Sequence, residues 1–353
     1  MLHNQGDVVK GVSLTDKVTN VIRIEKGEIA FGALNPNSNT MYLGYRNSNL
    51  ILVVDINAKK VLTKIPIFKP KYIQINPQTN MVYVIANGMV SVIDGATNNK
   101  VTEIKDNAPF ARFLAVNPEK NLLYVTYNNA SDKSRKKNPI DKVVVYDGST
   151  YSKIKEIIHG LKQPEGLAID VPSNHLFVAN SKINTVSVID VMSNSIIDHI
   201  EIPHEKLAWL SSSWQRLDNI AIINQKTKIL YLVGTTGSSG DGGGADQFCL
   251  YVVYVTDKKL IHKQTLDGSA SDICPSVSIN EQNDRVYIRK PSKNAIQIMD
   301  GFAQTNIASV ELTKMGFFKK IFSDKADPII VNQSTNKVYQ ADGKLGLLFE
   351  IDG

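Results

Sequence analysis

Short runs of alternating apolar and polar residues cover most of the chain, separated by clusters of Asn, Gly, Pro, Ser and Thr, a pattern of β-strands joined by tight turns. Alternating pairs such as Ile73 and Ile75, Leu114 and Val116, Leu167 and Ile169, and Val277 and Ile279 each lead into an Asn or Asp. An aromatic follows that residue at a spacing of seven in seven places: Asn35 and Tyr42, Asn76 and Tyr83, Asn117 and Tyr124, Asp170 and Phe177, Asn224 and Tyr231, Asn280 and Tyr287, Asn332 and Tyr339. Segments such as Asn76-Pro77-Gln78-Thr79-Asn80 fill the interval. They suit a turn, because Pro presets φ while Asn and Ser bond back to the local backbone.

A third run ends in Asp thirteen residues after the aromatic at Asp55, Asp190, Asp300 and Asp352, and at other distances at Asp94, Asp147 and Asp257. A fourth places apolar residues seven and ten beyond the Asp, as in Leu62 and Ile65, Val101 and Ile104, Ile154 and Ile157, Ile197 and Ile200, and Ile307 and Val310; the fifth copy breaks this rule around His262. Four short antiparallel strands in about 40 to 45 residues make a propeller blade. The expected fold is therefore all-β, a seven-bladed β-propeller occupying 1–353 as one domain, with blades near 28–67, 70–105, 110–159, 164–202, 217–266, 271–313 and 327–353. The seventh copy stops after its third strand, which would leave an open edge. The segment 17–24, with Val21 and Ile24 at the fourth-strand spacing, is expected to complete that blade and close the ring.

Gly166-Leu167-Ala168-Ile169, Leu176-Phe177-Val178-Ala179-Asn180 and Thr185-Val186-Ser187-Val188-Ile189-Asp190 together resemble one full repeat of the YVTN family of β-propellers, echoed by Tyr83-Val84-Ile85-Ala86-Asn87 and Tyr124-Val125-Thr126. Blades five and seven depart from the motif at Leu232-Val233-Gly234 and Gln340-Ala341-Asp342. The resemblance implies an extracytoplasmic or cell-surface protein, similar to surface-layer proteins, in which the propeller is a noncatalytic binding scaffold. The same architecture hosts lactonases, lyases and amine dehydrogenase subunits, so the fold alone does not choose an activity.

Composition narrows the choice only a little. Hydrophobic residues at 42% and charged residues at 21% fit a globular core and exclude disordered and fibrous classes. A net charge of +6, from 40 basic and 34 acidic residues scattered mostly singly, argues against a nucleic acid partner. No apolar run reaches the roughly 20 residues of a membrane helix, and Met1–Lys10 lacks the apolar stretch of a secretory signal. Cys249 and Cys274 form no CxxC or CxxCH motif, and their pairing is left open.

In a four-stranded blade, the second-to-third loops and the blade connections share one face. The longest excursions, 128–142, 232–248, 203–217 and 314–327, all fall on it. Loops on a rigid scaffold commonly carry function. The candidate contacts are Lys136 in the first excursion, Trp209, Trp214 and Arg216 in the third, and Phe317 and Phe318 in the fourth, since Trp and Arg are favoured interface anchors. The partner expected there is a protein or a glycan. The glycine-rich run 234–244 matches no phosphate or calcium motif and is expected to be a flexible loop.

Five residues before each Asn/Asp anchor, the tunnel mouth receives Ala30, Lys71, Arg112, Glu165, Asn219, Pro275 and Asp327, with Asp218 beside it. Lys71 and Arg112 form one side, the acidic residues the other. No cofactor is expected. The alternative is a metal-dependent lactonase or lyase holding Ca²⁺ or Mg²⁺ in the central tunnel on Glu165 and Asp327, helped by Asp218 and Asn219, where the cation polarises a carbonyl. Lys71 and Arg112 oppose it, and no histidine joins this ring: His3, His159, His175, His199, His204 and His262 are dispersed. No serine sits in a GxSxG motif.

Overall fold

The computed structural model describes residues 18–107, 110–129, 140–203, 213–238, 244–269, 276–290, 295–312 and 327–353, with 213–220, 236–238, 244–247 and 267–269 described by backbone alone. Among these residues the strands form seven antiparallel sheets of four, arranged as the blades of a ring, and there is no α-helix. Hence no helix among them is long and apolar enough to cross a membrane.

In six blades the strands run in sequence order from the tunnel outward. The seventh has the order expected from the missing edge: Ile329–Asn332 innermost, then Lys337–Asp342 and Leu347–Asp352, and finally Val18–Arg23 from the other end of the chain. The Glu350 carboxylate accepts hydrogen bonds from Thr19 Oγ1 at 2.8 Å, Asn20 Nδ2 at 2.9 Å and Tyr339 Oη at 3.1 Å. The closing strand is thereby tied both to its neighbour and to the blade interior.

The register of that strand differs from expectation. Ile22 pairs with Leu348 and is 1% exposed, whereas Val21 is 43% exposed. Ile22 thus occupies the place that Ile65 holds in blade one, opposite Ile51. The fourth-strand pattern misleads because it contains a bulge. Val53 pairs with Thr63 and Val54 with Val61, leaving Leu62 as the extra residue; the same irregularity isolates Val101, Ile154, Ile197, Ile261, Ile307 and, in the closing strand, Thr19. The six apolar residues at this position are all exposed. A bulge in every outermost strand twists the edge and blunts it against pairing with another chain.

The apolar core lies between the blades. Seven clusters of buried side chains each join one blade to the next, and the anchor aromatics are 0 to 2% exposed within them. Apolar packing carries little directional information, and a second system supplies it at the floor of the ring, where the first-to-second turns lie. Each anchor Asn accepts a backbone N–H from its own turn, as Asn76 Oδ1 does from Gln78 at 3.0 Å. Its amide then donates to the left-handed residue of the next blade: Asn35 to Asn80 at 2.6 Å, Asn76 to Asn121 at 2.8 Å, Asn224 to Asp284 at 2.7 Å, Asn280 to Asn336 at 2.7 Å, and Asn332 to Asn39 at 3.4 Å. Asn and Asp tolerate the φ of 50–56° at these turns because their short polar side chains bond locally.

Where the fourth anchor is Asp170, which cannot donate, the next blade offers Lys228, whose Nζ lies 2.7 and 2.9 Å from the two carboxylate oxygens. Donor and acceptor are exchanged and the link is kept. The third link differs: Asn117 Nδ2 is buried with no hydrogen-bond partner among the described residues.

Blade five departs most from the repeat. Its strands span Ser213–Asn224, Ile229–Ser238, Gly244–Tyr254 and Lys259–Ser269, longer than elsewhere. The first begins before residue 217, so Trp214 and Arg216 lie on a strand, paired with Gly237 and Thr235, and not in a blade connection. Most of the glycine-rich run is likewise hairpin, with Gly234 opposite Cys249 and Ser238 opposite Gly244; residues 239–243 lie outside the described set. The third strand ends at Tyr254, so Asp257 belongs to the following turn.

Two stability measurements check this account. Ile22→Ala is expected to cost about 3 kcal/mol in chemical denaturation, and Val21→Ala less than about 0.5 kcal/mol. Equal losses would place the closing strand in the other register. Lys228→Met, which leaves the buried Asp170 carboxylate uncompensated, is expected to cost about 3 kcal/mol, and the double variant Asp170→Asn, Lys228→Asn to recover most of it by rebuilding the amide link used elsewhere.

Candidate functional site at the tunnel mouth

The innermost strands line a central cavity of about 1140 Å³. Ile73, Val116, Ile169, Ile223, Ile279 and Val331 form the apolar part of its wall, and charged residues also line it. At the mouth, the position five residues before the anchor falls in a bulge of the innermost strand. The register breaks between Ile29 and Phe31, Pro70 and Tyr72, Ala111 and Leu114, Pro164 and Leu167, and Arg216 and Ile220, bracketing Ala30, Lys71, Arg112, Glu165, and Asp218 with Asn219. A bulge re-aims side chains that strict alternation would direct elsewhere. Glu165 is further fixed by its own backbone: Thr126 Oγ1, on the second strand of blade three, donates to its carbonyl at 3.0 Å.

Lys71 is exposed and lines the cavity, as does Arg112. The sequence places Lys71 and Arg112 opposite the acidic residues. In the fold, blades three and four are neighbours, and Arg112 Nε lies 3.4 Å from Glu165 Oε2, with Glu165 almost fully buried. Asp327 is also buried, and its Oδ2 accepts the Gly343 N–H at 3.4 Å. The carboxylates of Asp327 and Asp342 both act on the buried Arg289 of blade six; desolvation lowers the Arg289 pKa, and the two carboxylates work against that shift. Neither Glu165 nor Asp327 lines the cavity. The pair singled out as candidate metal ligands is thus divided between two arginine partnerships. Among the described residues no group of three His, Cys, Asp or Glu is placed to hold a metal. The side chains of Trp214, Arg216, Asp218 and Asn219, and residues Lys136, Trp209, Cys274, Phe317 and Phe318, lie outside what is described. Cys249 is buried in the core between blades four and five.

The structure adds residues that the spacing argument missed. Arg46, at the end of the second strand of blade one, and Phe68 and Lys69, in the connection to blade two, line the same cavity beside Lys71, Tyr72, Arg112 and Phe113. Lys69 has a φ of 50° and is held in that conformation from both sides: its N–H donates to Asn49 Oδ1 at 2.9 Å, and its carbonyl accepts from Asn87 at 3.3 Å. Tyr72 and Phe113 meet edge to face at 5.1 Å. The Lys71 pKa is lowered, first by desolvation and then by the positive charges of Arg112, Lys69 and Arg46, against an opposing effect of the Glu165 carboxylate. The available signal was topological, since a second-to-third loop and a blade connection both open onto this face.

At the floor end of the cavity stands Glu281, in the turn after the sixth anchor. Desolvation raises its pKa, against hydrogen bonds from the Gln225 backbone and side chain.

No model of a known protein family matches the chain, and no curated protein does. Among solved structures the chain is similar to a hydrazine synthase of Kuenenia stuttgartiensis, at 14% identity and a TM-score of 0.69, over 94% of this chain and 97% of that one. This likeness extends around the whole propeller and concerns the fold.

The raised Glu281 pKa gives a test with a definite sign. The folded protein holds the proton more tightly than the unfolded chain, so stability falls as pH rises from the normal carboxylate range through the folded-state value. Glu281→Gln is expected to raise the denaturation midpoint at neutral pH and to leave it nearly unchanged at a pH where both states are protonated. A stabilisation of equal size at both pH values would show that the carboxylate is not responsible.

Proposed function

We propose that the protein is a noncatalytic binding scaffold of the YVTN-propeller kind, extracytoplasmic or displayed at the cell surface, which engages a protein or glycan partner through the face around the tunnel mouth. The observation that carries this reading is the asymmetry between the two faces. The floor repeats one turn and one interblade link with small variations, whereas the mouth face differs from blade to blade in length and in charge. A rigid ring with one variable face has the general form of a binding platform. The Arg112–Glu165 contact and the placement of Asp327 near Arg289 further support binding over metal-assisted hydrolysis, because each carboxylate already has a cationic neighbour.

Lysine cross-linking in cells that express the protein natively, read by mass spectrometry, tests the proposal. Exposed lysines on the mouth face, Lys26, Lys69, Lys162 and Lys182, are expected to give cross-links to other molecules, and Lys59 and Lys120 on the floor are expected to give few. Cross-links concentrated on the floor, or spread evenly, would overturn the assignment of the face.

A further inference from the structure

The charges at the mouth do not balance. Four cations, Arg46, Lys69, Lys71 and Arg112, line one arc of the cavity from blade one to blade three. Two carboxylates meet them, Glu28 at 3.6 Å from Arg46 and Glu165 at 3.4 Å from Arg112. Both carboxylates flank the arc and both engage guanidinium groups. Neither of the two ammonium groups between them forms an ion pair with a carboxylate among the described residues, and Glu165, which also acts on Lys71, is already engaged by Arg112, so four cations face two carboxylates and a surplus of two positive charges remains. Scattered surface lysines would not amount to a site. These two sit at the opening of a cavity, one on a strand bulge and the other on a left-handed residue clamped from both sides. An aromatic wall stands beside them. Phe68 is 57% exposed with Lys69 Nζ 5.1 Å from its ring centroid, and Tyr72 and Phe113 continue the surface inward.

We propose that this arc is an anion-binding subsite, which takes a carboxylate or phosphate group carried on an aromatic or flat apolar body. Lys71 and Lys69 neutralise the anionic group, Arg112 and Arg46 add field from the flanks, and Phe68, Tyr72 and Phe113 receive the apolar part. The cavity is ample for a small molecule or for one terminal group of a larger partner. The inference rests on the binding-face reading only for the choice of face, since a small anion needs no macromolecule to be detected.

Calorimetric titration of the full-length protein with phenyl phosphate, phenylacetate, inorganic phosphate and neutral benzyl alcohol provides the test. Either or both of the aryl anions are expected to bind, the tighter one identifying the anionic group, and benzyl alcohol is expected not to bind. Lys71→Gln, at an exposed position, is expected to weaken aryl-anion binding by about tenfold or more, the effect of losing one charge-assisted hydrogen bond. Phe68→Ala is expected to weaken aryl anions and leave inorganic phosphate unchanged. Lys60→Gln, at an exposed outer-strand position, is the control and is expected to have no effect. Absence of aryl-anion binding, or unchanged affinity in Lys71→Gln, would overturn the proposal. So would inorganic phosphate binding as tightly as phenyl phosphate, the outcome of an adventitious ion only. Retained mouth-face cross-links without aryl-anion binding would sink this inference and spare the binding-face reading; aryl-anion binding with cross-links on the floor would do the reverse.

Discussion

A polar link from the end of the innermost strand to the first turn of the next blade, made at six of the seven interfaces among the described residues, is the contact on which the rest of the structure depends. Sheets packed face to face through apolar side chains can slide or rotate at modest cost, because apolar burial is not directional. A ring of seven sheets tolerates little of that, since an angular error at each interface accumulates before the chain returns to its start. An amide donating to a fixed oxygen sets the rotation at five of the steps, and the Asp170–Lys228 pair shows that the requirement is a donor matched to an acceptor and not Asn itself. At ring closure the Asn332 amide makes the link to the first turn of blade one, and Thr19 and Asn20 on Glu350 hold the closing strand within blade seven.

Fixing the floor has a consequence for the opposite face. The turns that carry the interblade bonds must keep their length and their left-handed residue, so insertions accumulate where no such bond is made. The mouth face therefore collects the long connections, the mixed charges and the bulged innermost strands. Each bulge breaks alternation at the residue five before the anchor and turns an otherwise strand-like position into part of the rim. The floor turns and the mouth-face loops are thus products of one division of labour within the blade.

The same division explains which parts of the fold were legible in the sequence. The anchor Asn, the aromatic seven residues later and the turn between them are all set by local chemistry, and they specified seven four-stranded blades and the closing role of the N-terminal segment. Bulges are less visible, because an extra residue in one strand makes a spacing that looks regular across copies while it reverses the direction of the side chain. Leu62 and its equivalents are accordingly the exposed bulge residues of a regular spacing, and the spacing assigned Ile24 the place that Ile22 takes. Blade five misled for another reason. Gly234–Ser238 lacks the apolar alternation of a strand, and a long hairpin forms there because its backbone pairs with a partner of equal length.

At the mouth, Lys71 and Arg112 line the cavity, whereas Glu165 and Asp327 are buried beside arginines and do not. Spacing gives the radial place of a residue, and only the order of blades gives its neighbours: Arg112 and Glu165 are adjacent in the ring and meet, whereas Asp327 acts with Asp342 on the buried Arg289 of blade six. Arg46 and Lys69 come from loops that no anchor spacing reaches. Once the paired charges are set against each other, the uncompensated ones at the opening are ammonium groups, and a low-dielectric wall of aromatic and aliphatic side chains lies directly behind them. Such a wall weakens screening and strengthens the field of the surplus charges. The electrostatic preference of this opening is therefore for anions, and a divalent cation approaching the tunnel from this side would have to pass the arc of Arg46, Lys69, Lys71 and Arg112 before reaching any carboxylate.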